Sequence, residues 1–179
     1  AYRPQLIAIT GSTGKTIAAH SVELALSHNR SVRVATPGDN TPLSVAKAIL
    51  GLPDAPGAPS WMRLLARSAA HEVTSEEPDA LVLEVGASRP GDVDRVAIRI
   101  SPQVVIVTNV GTSHTRLLGE KELVAHEFEA LVATAGPDTT IILNADDELA
   151  LGMAERAKGP VMLVGRGDDA DVQIVRTHR

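Results

Sequence analysis

Ile7-Ala8-Ile9-Thr10-Gly11-Ser12-Thr13-Gly14-Lys15-Thr16 decides how this chain is to be read. The apolar run Leu6 to Ile9 predicts a buried strand, and the glycines after it predict a turn. From Thr16 to Leu26, apolar residues recur at helical spacing (Ile17, Val22, Leu24, Ala25), which predicts a helix. A strand, a glycine loop and a helix start together make a phosphate site. The glycines let backbone N–H groups converge on an anion, and the helix start adds its positive dipole end. Lys15 would neutralise the outer phosphates, and the Thr16 hydroxyl would face a magnesium ion. A plain turn leaves Lys15 unexplained, because a cation in the first helical turn opposes the macrodipole unless an anion sits there. The longer pattern G-x-x-x-x-G-K-S/T is not met, since Ile9 stands at its first glycine. The shorter Gly11-Ser12-Thr13-Gly14-Lys15-Thr16 remains, in the right strand–loop–helix setting.

Composition narrows the class. At 179 residues the chain is one domain with room for a full core. Its 44% hydrophobic and 22% charged residues describe a globular protein. Tyr2, Trp61 and Phe128 are the only aromatics, so the core must be aliphatic and base stacking along a nucleic acid is not expected. A net charge of −5 also argues against a phosphate-backbone binder. With no cysteine, disulfides and thiolate metal sites are excluded. No apolar run reaches membrane-spanning length. The expectation is a cytoplasmic monomer without nucleic-acid or membrane partners, and a domain cut from a longer protein.

The rest of the chain alternates strands and helices. Strands are expected at Val32–Ala35, Ala80–Val85, Gln103–Val107, Thr140–Leu143, Pro160–Val164 and Val172–Val175. Helices are expected at Leu43–Leu50, Trp61–Val73, Asp92–Ile100, Glu120–Ala133 and Leu149–Ala157, with loops at Thr36–Pro42, Gly51–Ser60 and Gly86–Gly91. This alternation predicts an α/β fold, a mostly parallel, doubly wound sheet carrying a phosphate loop. In such folds ligands sit beyond the carboxyl ends of the strands. Thr10 to Thr16, Glu84, Asn109 to His114 and Asn144 to Asp146 all fall at such ends.

Glu84 closes an apolar strand, where a carboxylate is costly to bury unless it is paired or bound to metal. Glu84 could simply sit at a solvated strand mouth, but beside a phosphate loop magnesium coordination is the better account. His114 lies five residues after Asn109, on a loop leaving the same edge. Asn144 and Asp146 could both be simple helix caps, and the capping alternative is the stronger for Asp146. Asn144 offers a donor and an acceptor that suit a base edge.

These strings together resemble the Mur ligases, the ATP-dependent amide ligases of peptidoglycan synthesis. Ile9 to Thr16 is similar to the family's ATP loop. Leu83-Glu84-Val85-Gly86-Ala87-Ser88-Arg89-Pro90-Gly91-Asp92-Val93 resembles a segment of the branch that adds D-alanyl-D-alanine to a UDP-muramyl tripeptide. Thr108-Asn109-Val110-Gly111 with His114 is similar to a T-N-I/V-x-x-x-H loop, and Leu143-Asn144-Ala145-Asp146-Asp147 to an L-N-A-D-D element. The resemblance implies a central domain whose Gly11, Ser12, Thr13, Gly14, Lys15 and Thr16 wrap the triphosphate of ATP. Thr16 and Glu84 would hold one Mg2+, and His114 would hold or orient a second. Asn109 would line the nucleotide site, Asn144 would contact the adenine, and Asp146 would lie near the nucleoside. Lys15, Glu84 and His114 would carry the catalysis. The substrates implied are a UDP-muramyl peptide and an amino acid or dipeptide, held largely by flanking domains.

Three features depart from the family pattern. Ile17 stands where a Thr or Ser follows the G-K-T string, and Thr115-Arg116 follow the histidine where an apolar residue and an acid are usual. Phe128 occupies the place of a lysine that, carbamylated, holds the second magnesium in many members. Lys121, about 10 Å away along the same helix, is a doubtful substitute. Phe128 and Arg116 motivate a second reading, a non-catalytic ATP-binding or scaffolding homologue. A third is a generic phosphate-loop kinase or GTPase; an N-K-x-D element would favour the GTPase, and it is missing.

Overall fold

In the computed structural model, residues 4–35, 78–87, 89–112 and 120–175 are described. The loops expected at Thr36–Pro42 and Gly51–Ser60, the helices expected at Leu43–Leu50 and Trp61–Val73, and His114 lie outside the described residues. The strands are β1 (Gln5–Thr10), β2 (Val32–Val34), β3 (Ala80–Glu84), β4 (Val104–Val107), β5 (Thr140–Asn144), β6 (Val161–Gly165) and β7 (Val172–Gln173). The helices are α1 (Lys15–Leu26), α2 (Asp92–Ala97), α3 (Lys121–Thr134) and α4 (Glu148–Gly152), the last running into a 3-10 turn, Met153–Arg156.

The strands form one sheet in the order β2-β3-β1-β4-β5-β6-β7, and every pairing is parallel. The parallel α/β sheet expected from the alternation of elements is what forms. Its central strands alternate by period 2 between two apolar faces. Ile7, Ile9 and Val82 meet Ala19 of α1 on one side, with Ala18, Val22 and Leu26 packed against them. Ala8, Leu81, Leu83, Val105, Val107, Ile141 and Leu143 share the other side with residues of α2, α3 and α4. Because both faces are covered, these strands read as near-continuous apolar runs.

Strand order also positions the site. The chain leaves β1 towards β2 and β3 on one side, then crosses to β4 on the other. The carboxyl ends of β1 and β4 therefore flank a topological switch point, where ligands of open α/β sheets bind. Register brings Ile9 level with Glu84 on one neighbour and with Ile106 on the other, so the loops after all three strands leave the same edge.

The helix expected from Thr16 to Leu26 forms as α1, with Ile17, Leu24 and Ala25 exposed and Lys15, Ala18, Ala19, Val22 and Leu26 on its sheet-facing side. Small alanines let the helix lie close to the strands, and a search for bulky residues overlooks them. The helix expected to Ile100 ends at Ala97. The helix expected over Leu149–Ala157 is α-helical only to Gly152. Of the strand expected at Val172–Val175, only Val172 and Gln173 pair.

Phe128, with Val124, Leu131 and Val132, forms the buried face of α3 and is itself 0% exposed. Phe128→Ala should destabilise the fold by about 3–5 kcal/mol, whereas Leu24→Ser, at an 80% exposed position, should stay within about 0.5 kcal/mol. Urea denaturation of the two variants checks this; comparable losses would contradict the packing described.

Candidate functional site

The site begins where β1 ends. Gly11 takes φ +135° and Gly14 φ +80°, two left-handed conformations that cost other residues strain. Gly14 is the N-cap of α1, and the first backbone bond of the helix runs from Ala18 N–H to Gly14 C=O. The N–H groups of Lys15, Thr16 and Ile17 precede that bond and form the open donor end of the helix.

The loop apex is clamped by the segment after β4. Ser12 N–H donates to Asn109 C=O at 2.9 Å, and Thr13 N–H to Asn109 Oδ1 at 3.1 Å. Asn109 Nδ2 donates to Thr13 Oγ1 at 2.8 Å, and Thr108 Oγ1 to Thr13 C=O at 2.7 Å. Ser12 Oγ accepts from Gly111 N–H at 2.8 Å and donates to Gly111 C=O at 3.2 Å. Ser12 and Thr13 N–H are thus already engaged, and the helix-start donors from Lys15 onward form an open anion-facing end. Of Asn109, both amide ends serve this clamp.

Lys15 is buried, and its ammonium folds back to donate to Gly11 C=O at 2.6 Å, with Ser12 C=O at 3.5 Å. Desolvation holds its pKa below the ordinary lysine value of 10.5, against an opposing pull from the Glu84 carboxylate. Glu84, 5% exposed, accepts from Thr16 Oγ1 at 3.1 Å through Oε2. Its Oε1 is buried with no hydrogen-bond partner. An orphaned carboxylate oxygen beside a hydroxyl is the donor chemistry of a hard divalent cation such as Mg2+, which takes one or two protein oxygens and completes its shell with phosphate and water. These residues fit such an ion. Among the described residues no group of three or more His, Cys, Asp or Glu could hold a metal.

Beyond β5, Asn144 Nδ2 donates to Thr108 C=O at 2.8 Å, and Asn144 Oδ1 accepts from Asp146 N–H at 2.9 Å. Asp146 is not the helix cap that the sequence suggested. Its Oδ1 accepts from Arg166 N–H at 2.8 Å, an approach that needs Gly165, whose Cβ would lie 2.9 Å from that oxygen. Asp147 caps α4 instead, accepting from Leu149 N–H at 3.1 Å and Ala150 N–H at 3.0 Å. Asp147 was missed because either of two adjacent aspartates can cap, and sequence does not say which one turns inward. Phe128 lies in the core and supplies no metal ligand, while Lys121 is exposed at the start of α3. No described helix is long and apolar enough to cross a membrane.

Comparisons with known proteins bear on this geometry. The family model described as the Mur ligase middle domain matches residues 9–179. A UDP-N-acetylmuramoyl-tripeptide–D-alanyl-D-alanine ligase from Mycobacterium leprae is 30% identical over 162 residues, covering 90% of this chain and 27% of the relative. The chain thus spans about a quarter of that protein's length. A crystal structure of MurF from Acinetobacter baumannii superposes with a TM-score of 0.71 at 24% identity, covering 91% of this chain and 31% of the other. The MurF ligase of Thermotoga maritima, solved in complex with ADP, gives a TM-score of 0.68 at 21% identity, covering 92% and 33%.

The buried Lys15 carries a pH signature. Because its folded pKa is lowered, the unfolded chain holds the proton more tightly, and stability rises with pH between the folded and unfolded pKa values. Lys15→Met removes this titration. The stability of the parent minus that of Lys15→Met should therefore increase as pH is raised from about 8 towards the unfolded value. Paired urea titrations in alkaline buffers measure it, and a flat or falling difference would contradict the burial of the ammonium.

Proposed function

The chain belongs to the Mur ligase middle-domain family, and on that premise we propose that residues 1–179 are the ATP-binding central domain of a longer three-domain amide ligase. The observation that carries the proposal is the pairing of Thr16 with Glu84, whose second oxygen is left orphaned beside a lysine-bearing helix start. That arrangement supplies one cation site and one anion site side by side.

In this reading the open N–H groups of Lys15 and Thr16 receive the phosphates, and the Lys15 ammonium swings from Gly11 C=O to their outer oxygens. Thr16 Oγ1 and Glu84 Oε1 would hold Mg2+, which when bound neutralises triphosphate charge. His114 would hold or orient a second ion, and Phe128 leaves that second site without the family's lysine. Gly11, Ser12, Thr13, Gly14 and Asn109 set the loop's shape around the triphosphate. Asn144 keeps one amide hydrogen beyond its bond to Thr108 and would give it to the adenine, with Asp146 near the nucleoside.

The reaction proposed is acyl-phosphate formation followed by amide formation. A substrate carboxylate oxygen bonds to the γ-phosphorus of ATP as the bond to ADP breaks. An amine then bonds to the acyl carbon, and phosphate leaves. The chain contributes positioning and charge neutralisation, the main levers in phosphoryl transfer. The name of the Mycobacterium leprae relative supports a UDP-muramyl tripeptide and D-alanyl-D-alanine as the substrates, bound through flanking domains. The full-length protein would act in the cytoplasm as a monomer, and the isolated domain would lack ligase turnover. The buried Phe128 is the one observation favouring the second reading, a homologue that binds ATP without turnover.

Calorimetric titration of the chain with ATP and Mg2+ tests nucleotide binding. The parent should bind, and Lys15→Ala should bind at least about tenfold more weakly, the loss of one charge-assisted phosphate contact. No binding at millimolar ATP, or equal binding by the variant, would overturn the reading. Phosphate release by the full-length protein with both substrates then separates a ligase from a silent homologue.

A further inference from the structure

The segment after β4 touches both ends of the site, and one carboxylate holds it there. Asp147 is half-buried and accepts three backbone N–H groups. Oδ1 takes Leu149 and Ala150, which is ordinary helix capping. Oδ2 does something a cap does not require: it accepts Val110 N–H at 2.9 Å, across 37 residues of chain. Val110 lies between Asn109 and Gly111, the two residues that clamp Ser12 and Thr13. A second tie runs the same way, from Asn144 Nδ2 to Thr108 C=O.

We propose that Asp147 is a positioning residue for the phosphate loop. Its carboxylate fixes the 108–111 segment, and that segment fixes the loop's apex. The loop that follows β5 is thereby coupled to the glycine loop that follows β1, although no contact between Asp147 and the glycine loop is needed. The proposal rests on the reading of the site as a nucleotide site. Its physical basis is the strength of a charge-assisted bond from a carboxylate to a backbone N–H, and the cost of leaving buried Val110 without that acceptor.

Asp147→Asn and Asp147→Ser separate capping from positioning. Both residues cap helices well. The serine is too short to serve Val110 as well, and an asparagine that caps with its oxygen turns an NH2 donor towards the Val110 N–H. Hydrogen exchange on the unliganded chain is the primary readout. In both variants, peptides covering 9–16 and 105–112 should exchange about tenfold faster, while 148–156 keeps its protection. Affinity for Mg-ATP should fall about tenfold, with affinity for adenosine changing less than about twofold. Unchanged exchange at 9–16 in both variants would overturn the proposal, as would a parallel loss for ATP and adenosine. A parent that does not bind ATP would overturn the functional reading, and the nucleotide role of Asp147 with it. A parent that binds, with variants that match it, would overturn the role of Asp147 alone.

Discussion

The site depends on the close approach of two loops at the centre of the sheet. A β-carbon at position 11 would lie 2.0 Å from Thr108 Oγ1, nearer than any real pair of such atoms. Only glycine permits that contact, and only glycine adopts φ +135° there without strain. The approach lets Asn109 and Thr108 capture the backbone of Ser12 and Thr13. Gly14 then turns the chain into α1, which delivers Lys15 to the interior and Thr16 to Glu84. Strand order explains why the two loops meet at all, since β1 and β4 flank the switch point.

The same geometry withdraws two opposite charges from water, Lys15 and Glu84, which attract one another. An ammonium and a carboxylate are both withdrawn from water, one satisfied by carbonyls of the loop and the other only half satisfied. Burial of such groups is unfavourable unless something pairs with them. The core below offsets this cost, with aliphatic side chains filling both faces of the sheet around Phe128. A polyanion with a divalent cation would answer both groups at once.

Much of this was legible in the residues. The strands around Ile7–Ile9, Leu81–Leu83 and Val104–Val107 announced themselves because each is covered on both faces, and glycine spacing marked the loop. Glu84 was legible because a carboxylate closing an apolar strand requires a reason. The packed side of α1 was not, because Ala18 and Ala19 bury little area individually and Ile17 drew the eye to solvent. Asn144 and Asp146 both read as possible caps, yet Asp147 performs the capping, a choice set by which side chain turns towards Val110. The clamp role of Asn109 was hidden for a similar reason: it depends on contacts across about a hundred residues, which no local pattern encodes.

Under the proposed function, Glu84 and Thr16 hold a divalent cation against a nucleotide seated on the phosphate loop. Manganese, which takes the same oxygen ligands as magnesium, makes that contact visible to paramagnetic resonance. In a titration of the chain with Mn2+, added ADP should tighten manganese binding in the parent. Glu84→Gln should lose that tightening by at least about tenfold, the cost of removing one charged ligand. Equal ADP-dependent manganese binding by the parent and Glu84→Gln would contradict the account.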